Sequence, residues 1–207
     1  ISSLPSPYGI GTLGKSAFDF VDFLEAAGQS YWQVLPIGPA GYGDSPYQSF
    51  SVHAGNPYFI DLTALCNEGL LERQKCDEVD WGADSAHVDY GKIYNSRFKI
   101  LKEAFINFSK KENYQFQKFI IYNNFWLKDY SLYMAVKSHF NMLPWYEWPD
   151  IEIRDRRKSA IKKYSETLAN EINFQKFLQY LFYSQWENLK NYANSHNIKI
   201  IGDIPIY

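Results

Sequence analysis

Residues 41–50, Gly41-Tyr42-Gly43-Asp44-Ser45-Pro46-Tyr47-Gln48-Ser49-Phe50, gather two tyrosines, an aspartate, two serines and a glutamine into one turn-rich stretch. Gly38, Gly41 and Gly43 permit tight turns and Pro46 fixes its own φ, so polar groups here have little freedom left to lose. Rigid aromatic faces beside fixed hydrogen-bonding groups are what a sugar site requires. A pyranose offers apolar faces for stacking and hydroxyls for directional hydrogen bonds. The same composition also suits an ordinary structural turn. Asp44 fits an Asx turn, or, with Ser45 and Tyr47 beside it, contact with sugar hydroxyls. Asp203 follows the apolar run Ile198–Ile201 and reads either as a loop cap or as a carboxylate at a strand's C-terminal end.

The elements that must position these residues are legible from periodicity. Ala17, Phe20, Val21, Leu24 and Ala27 share one helical face, closed by Gly28 and opened by Ser16 and Asp19 in the manner of a capping box. Tyr31–Ile37 then reads as a buried strand leading into the polar loop. Phe174, Phe177, Leu178, Leu181, Phe182, Leu189 and Tyr192 trace a second apolar helical face. Asn197 can close that helix, and Ile198–Ile201 is the next strand. Helix, strand and polar strand end therefore occur twice, which is the logic of a (β/α) barrel or an open α/β sheet. Between the two lies an insertion. Asn56–Asp61 reads as a short extended stretch and the rest as mainly helical, with Phe98, Leu101, Phe105 and Phe108 on one face and an aromatic segment over 125–140. Pro144 and Pro149 break the helices around Trp145–Trp148. The basic run from Arg154 to Lys163 reads as a solvated helix face. The expected domains are 1–55 (first β/α units with the substrate loop), 56–173 (helical insertion) and 174–207 (barrel helix and following strand).

Composition narrows the function. The 207 residues carry 21 basic and 23 acidic side chains, a formal net charge of −2, so no strong field steers the chain to nucleic acid or an anionic membrane. Cys66 and Cys76 are not in a C-x-x-C pair and have no histidine at metal-ligand spacing, so they read as reduced, inert thiols. No metal site is expected. His53, His87, His139 and His196 are scattered and read as structural or surface residues. With no membrane-spanning or signal segment in the pattern, a soluble cytoplasmic protein is expected. Gly9-Ile10-Gly11-Thr12-Leu13-Gly14 matches the dinucleotide fingerprint G-x-G-x-x-G, but Leu4–Tyr8 before it is no strand. Leu35-Pro36-Ile37-Gly38 also stands where a ribose-binding carboxylate belongs.

Five blocks carry a specific resemblance: Leu4–Gly11, Tyr31–Pro36, Gly41–Phe50, Gly55–Tyr58 and Gly202–Tyr207. In this order they resemble the 4-α-glucanotransferases (amylomaltases, disproportionating enzymes) of glycoside hydrolase family 77. Trp126–Tyr130, Trp145 and Trp148-Pro149 resemble that family's helical insertion. The resemblance implies a (β/α)₈ barrel of the α-amylase type with a large helical insertion, only its N-terminal part being present in this chain. It implies transfer of α-1,4-glucan segments between maltooligosaccharides with retention, through a covalent glycosyl-enzyme, and no cofactor. It places Ser45 and Tyr47 at sugar subsites near the cleavage point, with Asp44 in the same loop. Tyr42 would stack on glucan at a neighbouring or secondary site, and Asp203 would support the reacting sugar. The family's nucleophile, acid/base and stabilising carboxylates are expected after Tyr207, so no catalytic residue is assigned within this chain. The isolated 207 residues are then expected to be inactive and poorly folded, with an unpaired strand edge. A retaining α-glucan hydrolase and a non-catalytic glucan-binding protein are the alternatives.

Overall fold

The computed structural model describes residues 1–205 except Tyr42 and Ser85. Its regular elements in chain order are helix α1 (Lys15–Ala26), strand β1 (Tyr31–Gln33), helices α2 (Leu62–Asn67), α3 (Arg73–Asp77), α4 (Tyr90–Phe108), α5 (Tyr114–Tyr122), α6 (Asn124–His139), α7 (Ile151–Arg154), α8 (Lys158–Thr167) and α9 (Ala169–Ser195), and strand β2 (Lys199–Ile201). Single 3₁₀ turns occupy Pro57–Phe59 and Trp145–Glu147. Among the described residues no helix is long and apolar enough to cross a membrane. The chain divides into two compact units, residues 1–112 with 181–207, and residues 113–180.

In the first unit β1 and β2 pair in parallel, Tyr31 opposite Lys199 and Gln33 opposite Ile201. Each strand follows a helix closed by the same device. Gly28 (φ +70°) ends α1, with Gln29 N–H donating to Leu24 O and Gly28 N–H to Glu25 O, both 2.9 Å. Asn197 (φ +58°) ends α9, with Ile198 N–H donating to Ala193 O at 2.9 Å and Asn197 N–H to Asn194 O at 3.1 Å. These are Schellman caps, which satisfy the last carbonyls and turn the chain sharply. The expected alternation of helix and parallel strand is therefore present. Among the described residues the sheet has two strands, which is part of an α/β layer and not a closed barrel.

Three local expectations are corrected. The strand at Tyr31 ends at Gln33, and its burial alternates: Trp32, Val34 and Pro36 are buried while Tyr31, Gln33 and Leu35 are exposed. Val34 N–H still reaches Ile201 O at 2.9 Å, but Pro36 has no N–H to continue the ladder and β2 ends at Ile201. The α1 capping box does not form, because Ser16 lies inside the helix and Gly14 is the N-cap. A Cβ on Gly14 would lie 2.1 Å from Asp61 Oδ2, so only glycine admits the Asp61 carboxylate here. That carboxylate accepts from Thr12 Oγ1 at 2.7 Å and caps α2 through Ala64 N–H at 2.7 Å. The start of α1, where a dinucleotide's pyrophosphate would sit, thus faces a carboxylate of the chain itself. Finally, Asn56–Asp61 is not extended. Asn56 Oδ1 accepts from Tyr58 N–H at 3.0 Å and starts a 3₁₀ turn.

Arg97 on α4 is fully buried. Its guanidinium donates to the carbonyls of Ile60 and Tyr8, tying the N-terminal segment to the turn before α2. Burial lowers its pKa to about 10, still high enough to keep it charged.

The second unit is built on an aromatic and aliphatic cluster of Leu132, Ala135, Val136, Trp148, Ile153, Ala160, Tyr164 and Ile172. Here α6 ends with Asn141 and Met142 both left-handed, and Lys137 Nζ donates to Met142 O (2.9 Å) and Leu143 O (3.1 Å). On α8 Ala160 and Tyr164 are buried and Lys158, Lys162 and Lys163 are exposed, as expected for a solvated basic face.

Candidate functional site

The polar loop follows β1 and closes on itself. Ala40 and Ser49 form an antiparallel bridge, and Gly41 N–H donates to Gln48 O at 3.0 Å. Within the loop Gly43 (φ +90°) and Asp44 (φ +56°) are both left-handed. Ser45 Oγ accepts from Tyr47 N–H at 3.3 Å, and Ser45 O from Gln48 N–H at 3.1 Å. Those bonds fix the backbone that carries Tyr47.

Two of the sequence-predicted residues meet directly. Tyr47 Oη donates to Asp203 Oδ2 at 2.8 Å, across 156 positions of sequence. The other carboxylate oxygen, Oδ1, accepts from Ile204 N–H at 2.8 Å. The hydrogen bond to Asp203 raises the Tyr47 pKa, with desolvation adding to it, so the phenol stays a donor at neutral pH. Tyr47 and Asp203 are both at the surface, where an incoming hydroxyl can reach them.

Asp44 belongs to a different grouping. It lines a cavity of about 180 Å³ with Leu35, Pro36, Pro46, Asn56 and Tyr90, and burial raises its pKa. Its charge in turn raises the pKa of Tyr58, pushed to about 12 chiefly by that tyrosine's own burial. Ser45 is half-buried and engaged with its own loop. Tyr42 lies outside the described residues.

Periodicity did not single out the far wall of the site. A cavity of about 430 Å³ is lined by Ser49, Ser51, His53, Tyr183, Trp186 and Asp203, among others. Tyr183 and Trp186 stand one turn apart on α9, off the apolar face that sequence analysis followed. That spacing, two half-buried aromatics beside a core stripe, was the available signal. Tyr183 Oη donates to the His53 carbonyl, and Phe182 packs so closely on Gly55 that a Cβ there would lie 2.0 Å from its ring. The end of the loop is thereby clamped to α9, and Asn56 N–H closes it to Ile37 O at 2.8 Å. The loop is a braced platform carrying Tyr47, with Asp203 delivered to it by β2.

A family model described as 4-alpha-glucanotransferase, glycoside hydrolase family 77, matches residues 1–207. The chain belongs to this family. It is 54% identical over 207 residues to the 4-alpha-glucanotransferase of Clostridium butyricum, covering 100% of this chain and 42% of that protein. It is 47% identical over 210 residues to that of Thermus thermophilus, covering 100% of this chain and 41% of that protein. Among solved structures, the amylomaltase from Streptococcus agalactiae in complex with acarbose matches with a TM-score of 0.97 and 41% identity, over 100% of this chain and 42% of that one. The chain thus spans about two fifths of the length of the 4-alpha-glucanotransferases it matches.

Proposed function

We propose that this chain supplies sugar-binding parts of a 4-α-glucanotransferase, which moves α-1,4-glucan segments between maltooligosaccharides by a retaining double displacement. The observation that carries the reading is the Tyr47–Asp203 hydrogen bond, which joins the aromatic loop to the end of β2 in an accessible position. An aromatic face next to a carboxylate with a fixed orientation is suited to stack on a pyranose and accept from its hydroxyls. The acarbose complex of the Streptococcus agalactiae relative supports sugar binding by this fold. In this reading Tyr47, Ser45 and Asp203 line the subsites near the reacting sugar, while Asp44 and Tyr42 serve neighbouring ones.

Residues 1–55 and 174–207 then contribute strands and helices of a (β/α)₈ barrel, with 56–173 as its helical insertion. The parallel β1–β2 pair, with its polar groups at the C-terminal strand ends, supports that arrangement. The bond-breaking carboxylates belong to strands outside these 207 residues, and the reaction uses no cofactor. The protein works in the cytoplasm on free maltooligosaccharides, and the 207 residues alone do not turn over glucan.

Incubating the intact polypeptide with maltotriose and separating products by chain length tests this. Glucose together with a ladder longer than the substrate is the expected result. Glucose and maltose alone would make the protein a hydrolase, and unchanged maltotriose would leave a binding protein. The 207-residue chain assayed beside it is expected to give no products.

A further inference from the structure

Spacing alone makes Cys66 and Cys76 two unrelated thiols, but the fold sets them side by side. Cys66 lies on α2 and Cys76 on α3, with their sulfurs 3.9 Å apart. Cys76 is buried and Cys66 half-buried. The residues around them build this approach. Gly69 (φ +70°) turns the chain back after α2, with Leu70 N–H donating to Leu65 O at 2.9 Å and Gly69 N–H to Cys66 O at 3.1 Å, a Schellman-type cap. Helix α4 then holds the hairpin at two points: Asn107 Nδ2 donates to Leu70 O at 3.0 Å, and Lys75 Nζ lies 2.9 Å from Glu103 Oε2. Trp81 Nε1 donates to Cys76 O at 2.8 Å and fixes the backbone of α3. All of these groups lie between Leu65 and Asn107, so the sulfur contact is set within this stretch and does not depend on what other parts of the polypeptide cover.

A buried cysteine by itself packs like any small apolar residue. Two in contact can also react with each other, because closing 3.9 Å to the ~2 Å of a disulfide takes only a change of side-chain torsion. The two sulfurs are not equivalent. Burial, and then Cys66 beside it, pushes up the Cys76 pKa, so at neutral pH Cys76 is a protonated thiol closed off in the core. Cys66 is the one left partly open. An accessible thiol with a second one directly behind it is the arrangement of an attacking and a resolving cysteine.

We infer that Cys66 and Cys76 form a reversible oxidation site for a small hydroperoxide, hydrogen peroxide being the simplest. The Cys66 thiolate attacks one peroxide oxygen and the O–O bond breaks. Hydroxide leaves, takes up the proton that Cys66 gave away, and Cys66 is left as a sulfenic acid. The Cys76 sulfur then attacks the Cys66 sulfur. An S–S bond forms, the S–OH bond breaks, and the Cys76 proton departs with the hydroxide as a second water. The two thiols have together lost two electrons and the peroxide has gained them. Two equivalents of a small thiol such as glutathione reverse the step by exchange, themselves becoming a disulfide. The bond closes a ring over residues 66–76 and staples α2 to α3. It does so beside the Tyr8 Oη–Asp77 Oδ1 hydrogen bond (3.1 Å) that ties the N-terminal segment to the end of α3.

Titrating the folded, reduced, intact polypeptide with hydrogen peroxide and mapping its peptides by mass spectrometry without reduction tests the inference. The Cys66 and Cys76 peptides are expected to appear joined, two hydrogens lighter than their sum, and to separate again in dithiothreitol. In Cys76→Ser the sulfenic acid on Cys66 loses its resolving partner. Dimedone should then label Cys66 at least about tenfold more than in the unmutated protein, and excess peroxide should carry it on to sulfinic acid. Circular dichroism of the serine variant checks that the fold is kept, and the unmutated map stands without it. Two free thiols after treatment that fully oxidises glutathione would overturn the proposal and make the contact plain packing. So would sulfinic acid on Cys66 while Cys76 is present, or a bond from Cys66 to a cysteine elsewhere in the polypeptide. None of these readings depends on whether the protein transfers or hydrolyses glucan.

Discussion

Tyrosine hydroxyls donate to aspartates in both units, and beside Tyr8–Asp77 and Tyr192–Asp22 of the first unit the pairs Tyr47–Asp203 and Tyr164–Asp150 make the sharpest contrast. In the helical unit Tyr164 Oη donates to Asp150 Oδ2 at 3.0 Å. Asp150 sits 14 residues away, caps α7 by accepting from Glu152 N–H at 3.0 Å, and has Lys163 Nζ at 3.5 Å. Both oxygens of that carboxylate accept from neighbours, as those of Asp203 do, but here a lysine stands beside it as well and the tyrosine is buried. In the first unit Tyr47 and Asp203 have nearly the same separation, but the phenol is exposed and the bond spans 156 residues. No helix end depends on it. The same chemical pair is a brace where its surroundings consume it and, under the proposed function, a binding surface where they leave it accessible.

Breaking the pairs one at a time sharpens that contrast. The largest effect is expected from Tyr47→Phe in the intact polypeptide. It removes the donor that orients Asp203 and should lower the glucan-transfer rate by about two orders of magnitude, with only a small fall in melting temperature because the pair is exposed. A transfer rate equal to that of the unmutated protein would return Tyr47 to the status of a surface residue. Gly55→Val attacks the platform from behind. A Cβ 2.0 Å from the Phe182 ring must displace either the loop end or α9, for roughly 2–3 kcal/mol of lost stability by urea unfolding. Tyr164→Phe should reverse the Tyr47 pattern, lowering the melting temperature by roughly 2–4 °C while leaving transfer unaltered.

The pairs also separate by pH. The hydrogen bond from Tyr164, followed by the Glu152 backbone donor and Lys163, holds the Asp150 pKa below its usual value. A depressed carboxylate stabilises the fold above its unfolded pKa of about 4. That contribution fades as the pH falls through the lower folded value. The Tyr47 pKa is raised, so its contribution is complete below about pH 10 and is lost as the pH climbs through the folded value. In acid and alkaline melts Tyr164→Phe should therefore lose the acid arm of the pH profile. Because the Tyr164 pKa is itself pushed up to about 12 by burial and then by Asp150, it should lose part of the alkaline arm too, whereas Tyr47→Phe should lose only alkaline stabilisation. The smallest expected signal is at Cys76. Burial, then Cys66 beside it, pushes its thiol up to about 12, so iodoacetamide at pH 8 should leave it unlabelled by mass spectrometry while the fold persists.

Much of the scaffold was legible because its signals are local. Gly28 and Asn197 marked both helix ends through the left-handed conformation that the caps demand. The repeated helix–strand order gave the parallel pairing of β1 with β2. Local signals failed where a distant residue took over. Ser16 and Asp19 formed no capping box because Asp61, 42 or more positions later, occupies the start of α1. Tyr47 and Asp203 were each visible as polar groups near strand ends, but their contact depends on a register set by the whole intervening chain. Tyr183 and Trp186 escaped notice because an aromatic helix face reads as core until something shows which side is open. Arg97 gave no sequence signal at all, since its partners are backbone carbonyls.

The pairing of Tyr31 with Lys199 has a consequence in time. Translation at about 5–20 residues per second makes β1 wait roughly ten to thirty seconds before β2 leaves the ribosome. Through that interval Trp32 and Val34 have as yet no β2 beside them. The contact that can form early is Phe20 of α1 against Trp32, edge-on at 5.1 Å. Helix α1 is thus a chaperone in miniature for its own strand, shielding the indole until the far end of the chain arrives.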